Sequence, residues 1–207
     1  TKAEFTFNTS RLWGKGVLPL ETYQLDYRKL QDVYPDLKKV DWVRFADIPA
    51  YRIIEGENER YIDASGTEVV ALNVPQKTIE EGFRKIHGND SKMTVTVLEK
   101  YDNYYLNLRR TLELPVYKVE FDDDDHNLYY VNPRDGYIRY LNKNKIVDKW
   151  LFSAIHYLNM GWLVNRPWLW TFCLWFLCIG CGIVCFTGVV LGVKTWLIRK
   201  KKKSLKK

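Results

Sequence analysis

The first 165 residues contain no cysteine; all four, Cys173, Cys178, Cys181 and Cys185, fall between residues 168 and 193. That excludes a disulfide-stapled head of the kind small secreted animal domains use. It suits a bacterial periplasm, where many domains do without such bonds. No acidic residue follows Asp148. Eight of the 32 Lys and Arg lie from Lys194 onward, which leaves 24 against 25 acidic residues in 1–193, a net of −1. The overall charge of +7 and the pI near 9.1 therefore belong to the tail. Phosphate binding needs clustered cations, and with no surplus in the head nucleic acid is disfavoured as a partner. Histidine is scarce, at three residues. No acid–base pair, nucleophile motif, phosphate loop or zinc pattern stands out.

What is present divides the chain. The mean hydropathy of −0.33 averages two materials. Residues 168–193 read WLWTFCLWFLCIGCGIVCFTGVVLGV, 26 consecutive uncharged residues. A helix of that length rises roughly 39 Å, more than a bilayer core of about 30 Å. The run predicts a transmembrane helix over 167–198, with the lipid bilayer as partner. A basic tail over 199–207 follows, placed at anionic lipid headgroups. Short cationic flanks stay in the cytoplasm, so residues 1–165 are expected on the other side. A C-terminal span places a head outside only if something starts export. The chain opens at Thr1 without Met or an apolar run, so upstream residues, a signal peptide or further spans, are expected. Cys178, Cys181 and Cys185 share a helix face. Metal ligation and lipid packing both fit that spacing; packing is favoured, because thiolates are costly in hydrocarbon.

The head contains an internal repeat. Residues 47–67 read DIPAYRIIEGENERYIDASGT, and residues 113–137 read ELPVYKVEFDDDDHNLYYVNPRDGY. Pro49, Tyr51, Arg52 and Ile53 correspond to Pro115, Tyr117, Lys118 and Val119. Tyr61-Ile62-Asp63 corresponds to Tyr130-Val131-Asn132, and Gly66 to Gly136. Each copy predicts two alternating strands around a polar turn, closed by a turn ending in Gly. A helix and a strand are expected before each hairpin. For the first copy these are 21–34, with Tyr23, Tyr27, Leu30 and Tyr34 at helical spacing, and 42–45. For the second they are 77–87, stopped by Gly88, and 93–98, which alternates with period two. The expected fold is α+β: two tandem helix-plus-antiparallel-sheet units over 1–75 and 76–147, with helices on one face of each sheet. An interfacial amphipathic helix over 148–166 and the single transmembrane helix follow. Trp150, Leu151, Ala154, Ile155, Leu158 and Trp162 carry the interfacial pattern.

Three features together resemble the bacterial PepSY-associated transmembrane proteins. They are Leu114-Pro115-Val-Tyr-Lys-Val, the turn Tyr130-Val-Asn-Pro-Arg-Asp-Gly136, and the run Lys149-Trp150 through His156 to Asn165-Arg166-Pro167. The resemblance is specific over 100–198 and looser over 20–100. It implies PepSY-like units outside the cytoplasmic membrane of a bacterium, docking a ligand or a partner. Other membrane helices or protein subunits are implied as partners. Some members of the family resemble haem-containing reductases of iron–siderophore uptake, so two alternatives stand beside docking: part of such a reductase, or a structural accessory subunit. In the reductase reading His156 is the candidate haem ligand. Met160, one turn away on the same helix, cannot supply the opposite axial position.

The other histidines read as structural. His87 is expected as a solvated helix cap and His126 as part of a solvated acidic tip after Asp122–Asp125. The clustered tyrosines, among them Tyr105, Tyr129, Tyr130 and Tyr140, read chiefly as half-buried sheet packing, with a recognition face as the alternative.

Overall fold

A computed structural model describes residues 7–106, 112–156, 158 and 160–204. It is α+β, with two four-stranded antiparallel sheets and one long C-terminal helix. The first sheet contains β1 (Leu37–Phe45), β2 (Ile48–Glu55), β3 (Asn58–Asp63) and β4 (Val70–Ala71) in sequence order. The second contains β5 (Met93–Leu98), β6 (Val116–Phe121), β7 (Leu128–Val131) and β8 (Ile138–Leu141) in the same order. Both repeated segments are hairpins, β2–β3 and β6–β7, and each is preceded by a strand. The closing turns differ. Gly136 sits at φ 64°, in the region that favours glycine, whereas Gly66 lies in a bend without positive φ.

The helical elements depart further from expectation. Helix α3 (Gln76–His87) forms as anticipated and stops at Gly88, φ 91°. The helix expected over 21–34 does not form as one piece. Only Leu20–Thr22, a single tight turn, and α2 (Lys29–Val33) are helical. Between them Gln24 and Leu25 donate their N–H groups to Ala64 O at 2.8 and 3.3 Å, and Tyr23 Oη donates to Val43 O at 2.8 Å. Bonds to the sheet replace the intrahelical ladder, and Asp26 Oδ1 then accepts from Arg28 N to open α2.

Helices do not cover one face of each sheet alone; both faces of both sheets are buried. On one face of the first sheet Tyr51, Ile53 and Ile62 pack on Tyr23, Leu25 and Leu30. Its other face, with Phe45 and Ala50, shares a core with Phe83 of α3 and with Val119, Tyr129 and Val131 of the second sheet. The outer face of the second sheet, with Leu128 and Tyr130, is covered by Tyr105 and its irregular flanks. Residues 107–111 of that stretch lie outside the described residues. The tyrosines expected to pack do so: Tyr105, Tyr129 and Tyr130 are all at least 97% covered.

The N-terminal segment, counted by position with the first unit, packs on the second. Phe7 N–H donates to Ile138 O, and its ring meets Tyr129 edge-on at 5.3 Å. Helix α1 (Thr9–Trp13), capped by Asn8, lies against α3. Gly82 permits this approach, since a Cβ there would fall 2.7 Å from Leu12 Cδ1.

The juxtamembrane segment is not one helix. After α4 (Lys143–Asp148), a wide helical turn runs over Lys149–His156, Leu158 has φ 52°, and α5 (Gly161–Val164) begins a new direction. Two points hold it to the loop 101–106: Lys149 Nζ donates to Tyr104 O at 2.7 Å, and Gly161 packs against Asn103 and Leu106. These tertiary anchors override the amphipathic period. Trp150, Leu151, Phe152 and Trp162 remain exposed, 41–62%.

Helix α6 (Pro167–Ser204) starts on Pro, whose missing N–H costs nothing at the first helical position. Its segment Pro167–Trp196 is long and apolar enough to cross a membrane. The helix continues through Arg199–Lys203, since Lys and Arg are good helix formers and favoured at a helix C-terminus. Residues 205–207 of the basic tail lie outside the described residues. The four span cysteines are unpaired, and Cys178, Cys181 and Cys185 face outward.

Candidate functional site

Where the two sheets meet, a cleft of about 650 Å³ opens along the edge strand β1. One wall is Trp42 to Phe45, and the opposite wall is α1 with Gly14 and Gly16. Tyr61, Asp135 and Tyr137 also line it. Its volume and its place between two units are those of ligand pockets, which run about 300–1,000 Å³ and favour such junctions.

Aromatic packing shapes the cleft. Trp13 and Phe45 meet edge-on at 5.6 Å, and Phe45 meets Tyr61 at 5.5 Å. The indole N–H of Trp13 donates to Gly136 O at 2.7 Å, tying α1 to the turn before β8. Trp42 leans on Tyr23 and Tyr51 yet stays 38% exposed.

Two guanidinium groups line the cleft, in different states. Arg52 Nε lies 2.9 Å from Glu59 Oε1, Arg52 Nη2 donates to Glu59 Oε2 at 3.4 Å, and Asp41 sits 3.9 Å from Arg52 Nη1. Tyr61 Oη donates to the same Glu59 carboxylate, and burial with this partner holds the Tyr61 hydroxyl well above its ordinary range. Arg44 differs. Its Nε donates to Ala46 O at 2.8 Å, and its side chain lies against Gly14. Its outer edge has a loose 3.6 Å contact with Asp47, whose side chain is 86% exposed. Such a pair is screened by solvent and holds little. Asp135 is half-buried; its Oδ1 accepts from Tyr137 N at 2.8 Å, and burial raises its pKa.

The β1–β2 turn beside Arg44 carries strain. Ala46 has φ 58° and is held there by its N–H on Trp13 O, at 3.0 Å, and by Arg44 on its carbonyl. A left-handed non-glycine residue costs about 1 kcal/mol. Ala46→Gly is therefore expected to stabilise the head by about 0.5–1 kcal/mol. Urea unfolding followed by tryptophan fluorescence checks this; a lower midpoint would show that the turn is not strained.

The residues singled out from sequence lie elsewhere. His87 is no solvated cap. Its ring stacks on Phe121 at 4.1 Å, its Nε2 shares a 2.9 Å hydrogen bond with Tyr129 Oη, and burial lowers its pKa. His126 sits at the exposed β6–β7 tip at φ 48°, where Asp123 accepts from both the backbone and side chain of Asn127. Among the described residues no three acidic, histidine or cysteine groups gather to hold a metal. The backbone of His156 ends the wide turn, and its side chain lies outside the described residues. The haem role remains an implication of the resemblance.

Sequence reading missed Trp13, Trp42, Arg44 and Asp135. In the sequence, residues 42–45 read only as a strand, and the Asn-Pro-Arg-Asp-Gly turn only for its glycine and for the resemblance. No protein-family description, no curated protein and no solved structure matches this chain.

Proposed function

We propose that this chain is a membrane-anchored docking protein of a bacterial cytoplasmic membrane, with a PepSY-like head on the periplasmic side. The head takes a ligand or the segment of a partner into the cleft between its two sheets, and α6 tethers it. The observation that carries this reading is the cleft itself: an open aromatic cavity at the junction of two units, with Arg44 fixed on its wall. The span, the exposed interfacial tryptophans and the cations after the span support the tether and its orientation.

A photocrosslinking residue in place of Thr9, exposed at the cleft, should give an adduct in cells. The same residue at Asp124, on the exposed β6–β7 tip at the opposite end of β7 from the Asp135–Tyr137 turn, should not. Absent or equal adducts at the two positions reject the docking reading. Orientation is tested separately. Protease added to spheroplasts should digest the head and spare a tag placed after Lys207; loss of the tag with an intact head reverses the assignment.

A further inference from the structure

The cleft's charges narrow what it accepts. Among the described lining residues the charged groups are Arg44, Arg52, Glu59 and Asp135. Arg52 and Glu59 neutralise each other at 2.9 Å, with Asp41 behind them. Arg44 has no carboxylate closer than 3.6 Å, and that one belongs to an exposed side chain. Its guanidinium is nevertheless held in place, by the bond from Nε to Ala46 O and by contact with Gly14. Holding the planar group before a ligand arrives removes most of the ordering cost of a two-pronged contact.

Trp42 offers the flat apolar surface: over a third of it is exposed beside Arg44, on the strand face that packs on Tyr23 and Tyr51. A ring laid against it would bury apolar area that water now covers, worth about 25 cal/mol per Å². Asp135 sets the limit on ligand charge. A doubly charged phosphate would sit near that carboxylate with one uncommitted guanidinium to offset it. A single carboxylate matches that guanidinium one to one, in the geometry where Arg binds best.

We infer that the cleft binds a monoanionic carboxylate carried on a flat aromatic or otherwise apolar body, with the carboxylate on Arg44 and the body against Trp42. This rests on the docking reading above and adds the chemical class.

The test uses the full chain in lipid nanodiscs with 2-naphthoate and 2-naphthamide as probes, followed by ligand-observed NMR with empty nanodiscs as the blank. Naphthoate should bind at least tenfold more tightly than the amide. Arg44→Gln should erase that preference, Arg44→Lys should retain part of it, and Trp42→Ala should weaken both probes. Equal binding of acid and amide, or a preference untouched by Arg44→Gln, overturns the carboxylate assignment. If binding then still depends on Trp42, the cleft survives as a docking site for another chemistry. No binding of naphthoate above the blank also overturns the inference, and the photocrosslink from Thr9 then decides the docking reading independently. Each variant is checked for an unchanged urea midpoint, so that loss of binding is not loss of fold.

Discussion

Gly136→Ala is expected to destabilise the head by about 3–5 kcal/mol, the range reserved for substitutions that break a core contact and a backbone conformation together. Gly136 has φ 64°, where a side chain adds about 1–2 kcal/mol. A Cβ there would fall 2.6 Å from Phe45 Cδ1, closer still to Cε1, and 3.0 Å from Trp13 Nε1. Phe45 has little room to yield. It is 5% exposed and hemmed by Trp13 and Tyr61. The same turn holds the Trp13 indole through the carbonyl of Gly136, so displacement of the turn also loosens α1. The readout is the urea midpoint followed by tryptophan fluorescence. Adding Phe45→Leu to Gly136→Ala should recover part of the loss, because it removes the clash while leaving the backbone cost. A loss under about 1 kcal/mol, or no recovery in the double variant, would mean that the two sheets are not locked at this point.

Lys149 should make the head more stable as the pH rises from 7 to 9.5, by about 2 kcal/mol. The side chain is 8% exposed, and burial holds its pKa down at about 8, against 10.5 for a free lysine. Arg139 lowers it further, and Asp102 pulls the other way. Its one close partner is neutral, the carbonyl of Tyr104 at 2.7 Å, with the Tyr104 ring at 5.8 Å. Asp102 does not pair with it closely: that carboxylate accepts from the N–H groups of Tyr104 and Tyr105 and from Tyr130 Oη at 2.6 Å. Below pH 8 the folded state carries a buried cation that the unfolded state solvates freely. Between 8 and 10.5 the unfolded chain binds more protons than the folded one, so stability climbs with pH. Tyr23, Tyr51, Tyr61, Tyr105, Tyr129, Tyr130 and Tyr140, all raised by burial, oppose the trend as unfolded tyrosines begin to ionise toward 10, so the Lys149 contribution is read as the difference from a variant without the cation. Lys149→Met keeps the stem's packing, removes the cation and should flatten the slope. It should also match or exceed the wild type at pH 7, since an apolar replacement for a poorly paired buried charge is often stabilising. Equal slopes for wild type and Lys149→Met between pH 7 and 9.5 would show that Lys149 is solvated.

This residue matters for the tether because the loop 101–106 grips the juxtamembrane segment twice, at Lys149 and at Gly161. Between these grips the chain turns, and three residues after α5 the span begins. The head is thus fixed to the start of α6 by a few side-chain contacts rather than by a continuous helix.

By itself the sequence determined the features that depend on near neighbours along the chain. The 26 uncharged residues of 168–193 specify a helix long and apolar enough to cross a membrane, because length and apolarity are properties of consecutive residues. The period-two alternation of Met93–Leu98 and the paired hairpins at 47–67 and 113–137 specify strands, because side chains of a strand alternate between faces. Gly88 ended α3 where a left-handed residue was required. Only the tertiary structure decided what depends on distant partners. The tyrosine spacing of 21–34 is helical, yet Ala64 O and Val43 O capture its donors and break the helix. Residues 7–13 precede the first unit but find their apolar partners at Tyr129 and Gly82, far along the chain. The cleft joins Trp13, Arg44 and Asp135, whose separation in sequence leaves no pattern to read. Each is an ordinary residue in its own neighbourhood, and only the close packing of Phe45 on Gly136 brings the three to one cleft.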